Sequence, residues 1–140
     1  MLLHGDNLSL FDLRAFQDAY TRRPPAVEIT MMTFSTSSPE TCGIVEVDEA
    51  GLARAFHEKV KNPPGNVANA AVYILSPEVF DFLGALGKEV IDFSTEVLPN
   101  YLSMMNTFHN DVYHRDIGTA ESLMAARREY PAVEKAYMSH

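Results

Sequence analysis

The chain has 140 residues, is 46% hydrophobic and 21% charged, and carries a formal net charge of −8. This length and balance fit one globular domain with a sizeable core, and the acidic excess argues against a broad nucleic-acid surface, which needs Lys and Arg in surplus. Cys42 is the single cysteine, so no intramolecular disulfide can form and a reducing, cytoplasmic setting is expected. No apolar run approaches the roughly 20 residues of a membrane-spanning helix, and the opening residues MLLHGDN lack the basic-then-apolar build of a signal peptide.

In chain order, Leu2-Leu3 reads as the tail of a buried strand that ends at Gly5-Asp6. Leu10, Leu13, Phe16 and Tyr20 recur at three- and four-residue spacing, which predicts an amphipathic helix from about Leu10 to Arg22. Asn7 or Ser9 could cap its start, and Pro24-Pro25 ends it. Val27 to Phe34 is rich in β-branched and apolar residues and reads as a buried strand. CGIVEVDEAGLARAFHEK reads as a hairpin, with Ile44, Val45 and Val47 in one arm, residues 48–51 as the turn and Leu52 to Phe56 as the other arm. Residues 67–75, VANAAVYIL, form a further strand. Pro77 stands in the first turn of a short helix behind Ser76, and Asp92 or Ser94 starts another helical segment. Phe108 to His114 alternates as a strand, and Thr119 caps a final helix through Ala126, with Glu121 near its positive end. The order predicts an α/β fold with a mixed, mostly parallel sheet flanked by helices. A parallel sheet whose first strand has a helix on only one side should continue upstream, so Met1 reads as a start placed inside a domain.

Two segments could carry chemistry in the same way. Asp6 follows a strand, between Gly5 and Asn7, and Asp116 in YHRDIGT also ends a strand before a turn into a helix. Ligands collect beyond the carboxyl ends of strands in α/β sheets, and carboxylate oxygen is the protein ligand that magnesium prefers. Locally, each aspartate also reads as an ordinary cap or turn residue. Glu58 and Lys59 close the hairpin's second arm; Lys59 could meet a phosphate as a point charge and Glu58 could accept hydroxyl hydrogen bonds. They also read as a solvated charged pair. Asn69, inside an apolar strand, either bonds neighbouring backbone or faces a polar ligand, since an unpaired buried amide costs about 1–3 kcal/mol. His4, His57, His109 and His114 fall in no HxxxH or HxH spacing, and one cysteine adds little, so the pattern gives no zinc motif. There is no GxSxG, GxGxxG or GxxxxGK[ST].

Taken together, HGDNLSLFDL, CGIVEVDEAGLARAFHEK, NPPGNVANAAVYILSPEVFDF, DFSTEVLP and HRDIGTAESL resemble the sugar-1-phosphate nucleotidyltransferase family, nearest in flavour to its mannose- or heptose-1-phosphate guanylyltransferases. The resemblance spans nearly all of residues 3–125. It implies that the sugar phosphate attacks the α-phosphorus of a nucleoside triphosphate and pyrophosphate leaves. It also implies that Asp6 and Asp116, from the GD and DIG motifs, are catalytic and hold Mg2+. Glu58 and Lys59 match the family's FxEK contacts to sugar and phosphate, Gly43 matches the glycine that approaches the sugar, and Asn69 matches its N-A-G segment. Asn7 follows the first metal aspartate and is expected near the ligand. Three departures stand out: Val60 replaces the proline after the EK pair, Ala71 replaces the glycine after Asn-Ala, and Thr95-Glu96 stands where a lysine often precedes V-L-P.

The family's glycine-rich G-x-G-T-R-x-x-P loop, which cradles the triphosphate, is absent from these 140 residues; the resemblance puts it and the base-recognising region ahead of Met1. Residues 1–140 therefore read as a partial, Rossmann-like nucleotidyltransferase domain without its N-terminal strand-loop-helix. It is expected to be inactive alone, with sugar 1-phosphate and nucleoside triphosphate as partners of the complete site. The alternative is a non-catalytic remnant that binds sugar phosphate or a protein partner. Missing strands would leave an open sheet edge, which predicts a homo-oligomer or pairing with a complementing N-terminal half. A metal-dependent phosphohydrolase using Asp6, Asp116 and a nearby histidine is a third reading.

Overall fold

The computed structural model describes residues 1–139. The apolar run after Val27 forms the central strand, β3 (Ile29–Ser35), labelled after the short β1 (Leu2–Leu3), β2 (Asn7–Leu10) and the helix α1 (Leu13–Thr21). Neighbouring side chains on β3 point to opposite faces, and Met31 and Met32 are both fully buried, so this strand is covered on both sides. The hairpin forms as β4 (Gly43–Val47) and β5 (Ala53–Glu58). Asp48 Oδ1 accepts the N–H groups of Ala50 and Leu52 in its turn, each at 2.9 Å, and Gly51 supplies the positive φ of 79°. Then come β6 (Val67–Leu75), α2 (Pro77–Ala85), β7 (Met105–His109), β8 (Tyr113–Asp116) and α3 (Ala120–Tyr137).

The main sheet has the order β5-β4-β6-β3-β7, with β1 added to β6. The mixed α/β class holds, and its parallel share is smaller than the element order implies. Among the described residues only β3 and β7 run parallel, while β6 returns antiparallel against β1, β3 and β4. One face packs Ile29, Met31, Tyr73, Val79, Val97, Leu98 and Met105 into the larger core. The other packs Phe16 of α1 against Met32, Ala70 and Val72.

Three elements differ from the local pattern. Asn7–Leu10 is a strand paired with β8, so α1 starts three residues later than periodicity suggests. Its cap is Asp12, which accepts from Arg14 and Ala15 N–H, not Asn7 or Ser9. The stretch from Phe108 to His114 is broken by Asn110, whose side chain bonds Tyr113 O and Val112 N; this turn separates β7 from β8. The last helix begins at Thr119 with a capping box and runs through Pro131 to Tyr137, well past Ala126. Asp92, not Ser94, caps the segment before Val97 by accepting the Thr95 N–H at 3.0 Å. Met31, Met32 and Met105 are core residues, and Met104 is partly exposed. Among the described residues no helix is long and apolar enough to cross a membrane.

Candidate functional site

A cleft of about 680 Å³ opens where β1, the ends of the β4–β5 hairpin, the middle of β6, the end of β8 and the loop at 91–94 meet. Each side chain reaches it for a local reason. β1 pairs Leu2 with Tyr73 and Leu3 with Val72, and the Asn7 N–H then bonds His4 O at 3.4 Å. This turns the chain at Gly5-Asp6 into β2. There Asn7 stands opposite Asp116 in antiparallel register, and the Ile117 N–H donates to Asp6 O at 2.7 Å. A two-stranded ribbon thus brings Asn7–Leu10 beside Tyr113–Asp116.

The carboxylates meet over Gly118. A β-carbon at that glycine would lie 3.0 Å from Asp116 Oδ1 and 3.3 Å from Asp6 Oδ2, so one point lies within 3.3 Å of both oxygens. The Gly118 N–H also donates to Asp116 Oδ1 at 2.7 Å, which holds that carboxylate in place. Two carboxylate oxygens that approach one point could share a hard cation whose remaining ligands are water and phosphate oxygens. Among the described residues no group of three or more His, Cys, Asp and Glu side chains is placed to hold a metal by itself.

The hairpin supplies the opposite wall. Gly43 pairs with Glu58, and a β-carbon at Gly43 would come within 2.5 Å of Phe56 Cζ and 2.9 Å of Glu58 Oε2. Only glycine leaves the Glu58 carboxylate where it is. β5 ends at Glu58, and Lys59 takes φ 49° while its N–H bonds Cys42 O at 3.2 Å. That left-handed turn breaks the strand's alternation, so Glu58 and Lys59 line the same cleft. Their charged groups are 3.8 Å apart.

Asn69 lines the cleft from β6; its Oδ1 accepts the Ala71 N–H at 2.8 Å and its Nδ2 donates to the Tyr73 hydroxyl at 2.7 Å. Asn7 also lines the cleft and donates to Ala70 O at 3.1 Å. The seven residues singled out from sequence (Asp6, Asn7, Gly43, Glu58, Lys59, Asn69 and Asp116) therefore border one cavity.

His114, one of the four histidines weighed for a zinc motif, joins them in the cleft. On β8, a two-residue period puts His114 on the face of Asp116 and turns Arg115 away; Arg115 bonds Glu129 of α3 instead, at 2.7 Å. That period is the signal that flags His114. Its Nδ1 lies 2.8 Å from Ser9 Oγ, and its ring packs against Phe34 with centroids 4.2 Å apart and the planes tilted by 43°. Burial holds the imidazole well below its usual value, at about 4, and the Asp116 charge offsets this only in part. Lys59 shares this cleft with four carboxylates, those of Asp6, Glu58, Asp92 and Asp116. Such a field disfavours an anionic ligand unless positive charge is supplied beside it.

Residues 1–133 match the model of the nucleotidyl transferase family, and the chain belongs to that family. It is 30% identical over 128 residues to a mannose-1-phosphate guanylyltransferase of Mycobacterium tuberculosis, covering 89% of this chain and 34% of that protein. It is 26% identical over 133 residues to a glucose-1-phosphate adenylyltransferase of Mycoplasma mobile, covering 90% and 35%. The chain thus spans about a third of the length of these curated relatives. Its fold superposes with a TM-score of 0.78, at 21% identity, on a Bacillus anthracis protein described as a glucose-1-phosphate thymidylyltransferase and crystallised with sucrose. That match covers 90% of this chain and 52% of the other.

Proposed function

We propose that residues 1–140 form the sugar-1-phosphate- and metal-binding part of a sugar-1-phosphate nucleotidyltransferase domain. The observation that carries this reading is the common approach of Asp6 and Asp116 to one point, in the cleft that Gly43, Glu58 and Lys59 also line. The names of the relatives, which act on mannose 1-phosphate and glucose 1-phosphate, support a hexose 1-phosphate as substrate class.

In this reading the Glu58 carboxylate accepts hydrogen bonds from sugar hydroxyls, and the space over Gly43 admits the ring. The Lys59 ammonium meets the sugar phosphate. Asp6 and Asp116 would hold Mg2+, which when bound neutralises charge on the phosphates. An oxygen of the sugar phosphate forms the new bond to the α-phosphorus of the triphosphate, the bond from that phosphorus to the bridging oxygen breaks, and pyrophosphate leaves with the electron pair. Chemistry of this kind depends on alignment and charge neutralisation. The protein's contribution here is to fix the nucleophile.

Calorimetric titration of this chain with α-D-mannose 1-phosphate and α-D-glucose 1-phosphate, with and without Mg2+, tests the reading. Magnesium-dependent binding of one of them, weakened by Lys59→Ala, is expected; no binding of either at millimolar concentration would refute it. With no glycine-rich triphosphate loop in these residues, the chain alone should release no pyrophosphate from GTP or ATP.

A further inference from the structure

β6 is distorted beside the cleft. Met31 of β3 pairs with Tyr73 and Thr33 with Asn69, so Met32 faces the longer stretch from Ala70 to Val72. This bulge holds Ala71 at φ 53°, a left-handed conformation that a β-carbon disfavours by about 1–2 kcal/mol. Something must hold it, and the Asn69 side chain spans it. Asn69 Oδ1 takes the Ala71 N–H at 2.8 Å and Nδ2 anchors on the Tyr73 hydroxyl at 2.7 Å. Tyr73 is fully buried, so the anchor is fixed to the core.

The bulge in turn holds the first carboxylate. Its two carbonyls point at the N-terminal segment: Ala70 O accepts from Asn7 Nδ2 at 3.1 Å, and Ala71 O accepts from the His4 N–H at 3.2 Å. Asp6 lies between those two residues. We infer that Asn69 is a positioning residue: by bracing Ala71 in its left-handed conformation it sets the carbonyls that locate residues 4–7, and with them the Asp6 carboxylate. Its link to ligand binding rests on the sugar-phosphate reading of the cleft. A direct contact between Asn69 and the sugar is the competing role.

Suppression separates the two roles. Glycine adopts positive φ without a brace, so Ala71→Gly should make Asn69 dispensable if bracing is its role. Four forms of the full chain are compared: wild type, Asn69→Ala, Ala71→Gly and the double variant. Affinity for α-D-mannose 1-phosphate with Mg2+ is read by calorimetry, and melting temperature by circular dichroism. Asn69→Ala should lose about tenfold in affinity, the scale of one hydrogen bond, and melt lower. The double variant should recover most of that affinity, and its melting temperature should fall less from Ala71→Gly than Asn69→Ala falls from wild type. A double variant that binds no better than Asn69→Ala would overturn the inference in favour of direct contact.

If the wild type binds no sugar phosphate, the reading of the cleft fails and the melting data still decide the brace. An equal loss in both backgrounds refutes it, and a smaller loss in the Ala71→Gly background supports it. Should Asn69→Ala not fold, recovery of a cooperative melt in the double variant supports the brace, and loss of folding in both overturns it.

Discussion

Gly43→Ala should damage both the fold and the sugar wall. Gly43 is buried and pairs with Glu58 across the β4–β5 hairpin. The added methyl would meet Phe56 Cζ at 2.5 Å, Phe56 Cε2 at 2.9 Å and Glu58 Oε2 at 2.9 Å, all inside van der Waals contact. The Phe56 ring packs against the larger core, so it has to leave a favoured rotamer or the hairpin has to part. Overpacking of this sort costs about 1–3 kcal/mol, which for a chain of this size is a fall in melting temperature of roughly 3–10 °C. The Glu58 carboxylate is pushed at the same time, so affinity for a hexose 1-phosphate should drop about tenfold if one charged hydrogen bond is lost. Cation affinity should stay, because Asp6 and Asp116 lie on other elements. Thermal melting and calorimetry read the two effects separately. An unchanged melt together with unchanged sugar-phosphate affinity would refute the reasoning about this contact.

Gly118→Ala should act the other way round: its methyl would sit 3.0 Å from Asp116 Oδ1 and 3.3 Å from Asp6 Oδ2, so Mg2+ affinity should fall at least several-fold with only a small change in melting. His114, held at about 4 by burial, makes the fold acid-sensitive. The unfolded chain takes up this proton near pH 6.5 and the folded chain only near 4, so the stability given by the neutral ring is complete above about pH 6.5 and is lost as pH falls toward 4, by at most about 3 kcal/mol. Urea unfolding of wild type and His114→Gln between those values should show a steeper acid loss in the wild type; parallel curves would contradict it.

How much of this was legible in the sequence follows the range of the interactions involved. Strands β3 and β6 were visible because a strand buried on both faces is a continuous apolar run, as in VEITMMTF and VANAAVYIL. The cap at Thr119 was visible because a cap bonds its own first turn. The strand at Asn7–Leu10 was hidden, since its partner is Tyr113–Asp116 at the other end of the chain and Leu10 also fits the spacing of the helix that follows. The far end of α3 was hidden by Pro131, although Ala126, Tyr130, Val133 and Tyr137 continue the three- and four-residue spacing.

At the site, motif and order picked out residues that do share a cleft, while local pattern alone left Asp6 and Asp116 as ordinary caps and Glu58 and Lys59 as a charged pair. Asn69 shows the limit most clearly. Its two bonds to Ala71 and Tyr73 depend on a bulge that no local pattern announces. Ala71, by contrast, was already conspicuous as an alanine in a glycine's place, and its positive φ gives the physical reason glycine suits that position.

Binding of Mn2+ as a paramagnetic stand-in for Mg2+, followed by electron paramagnetic resonance in wild type, Asp6→Asn, Asp116→Asn and the double variant, tests most directly whether these two side chains serve one ion. One site in the wild type is predicted, weakened at least about tenfold by either single change, with the double change far less than additive because both ligands belong to a single site. Binding that survives each substitution, or losses that simply add, would place the ion elsewhere and contradict the account.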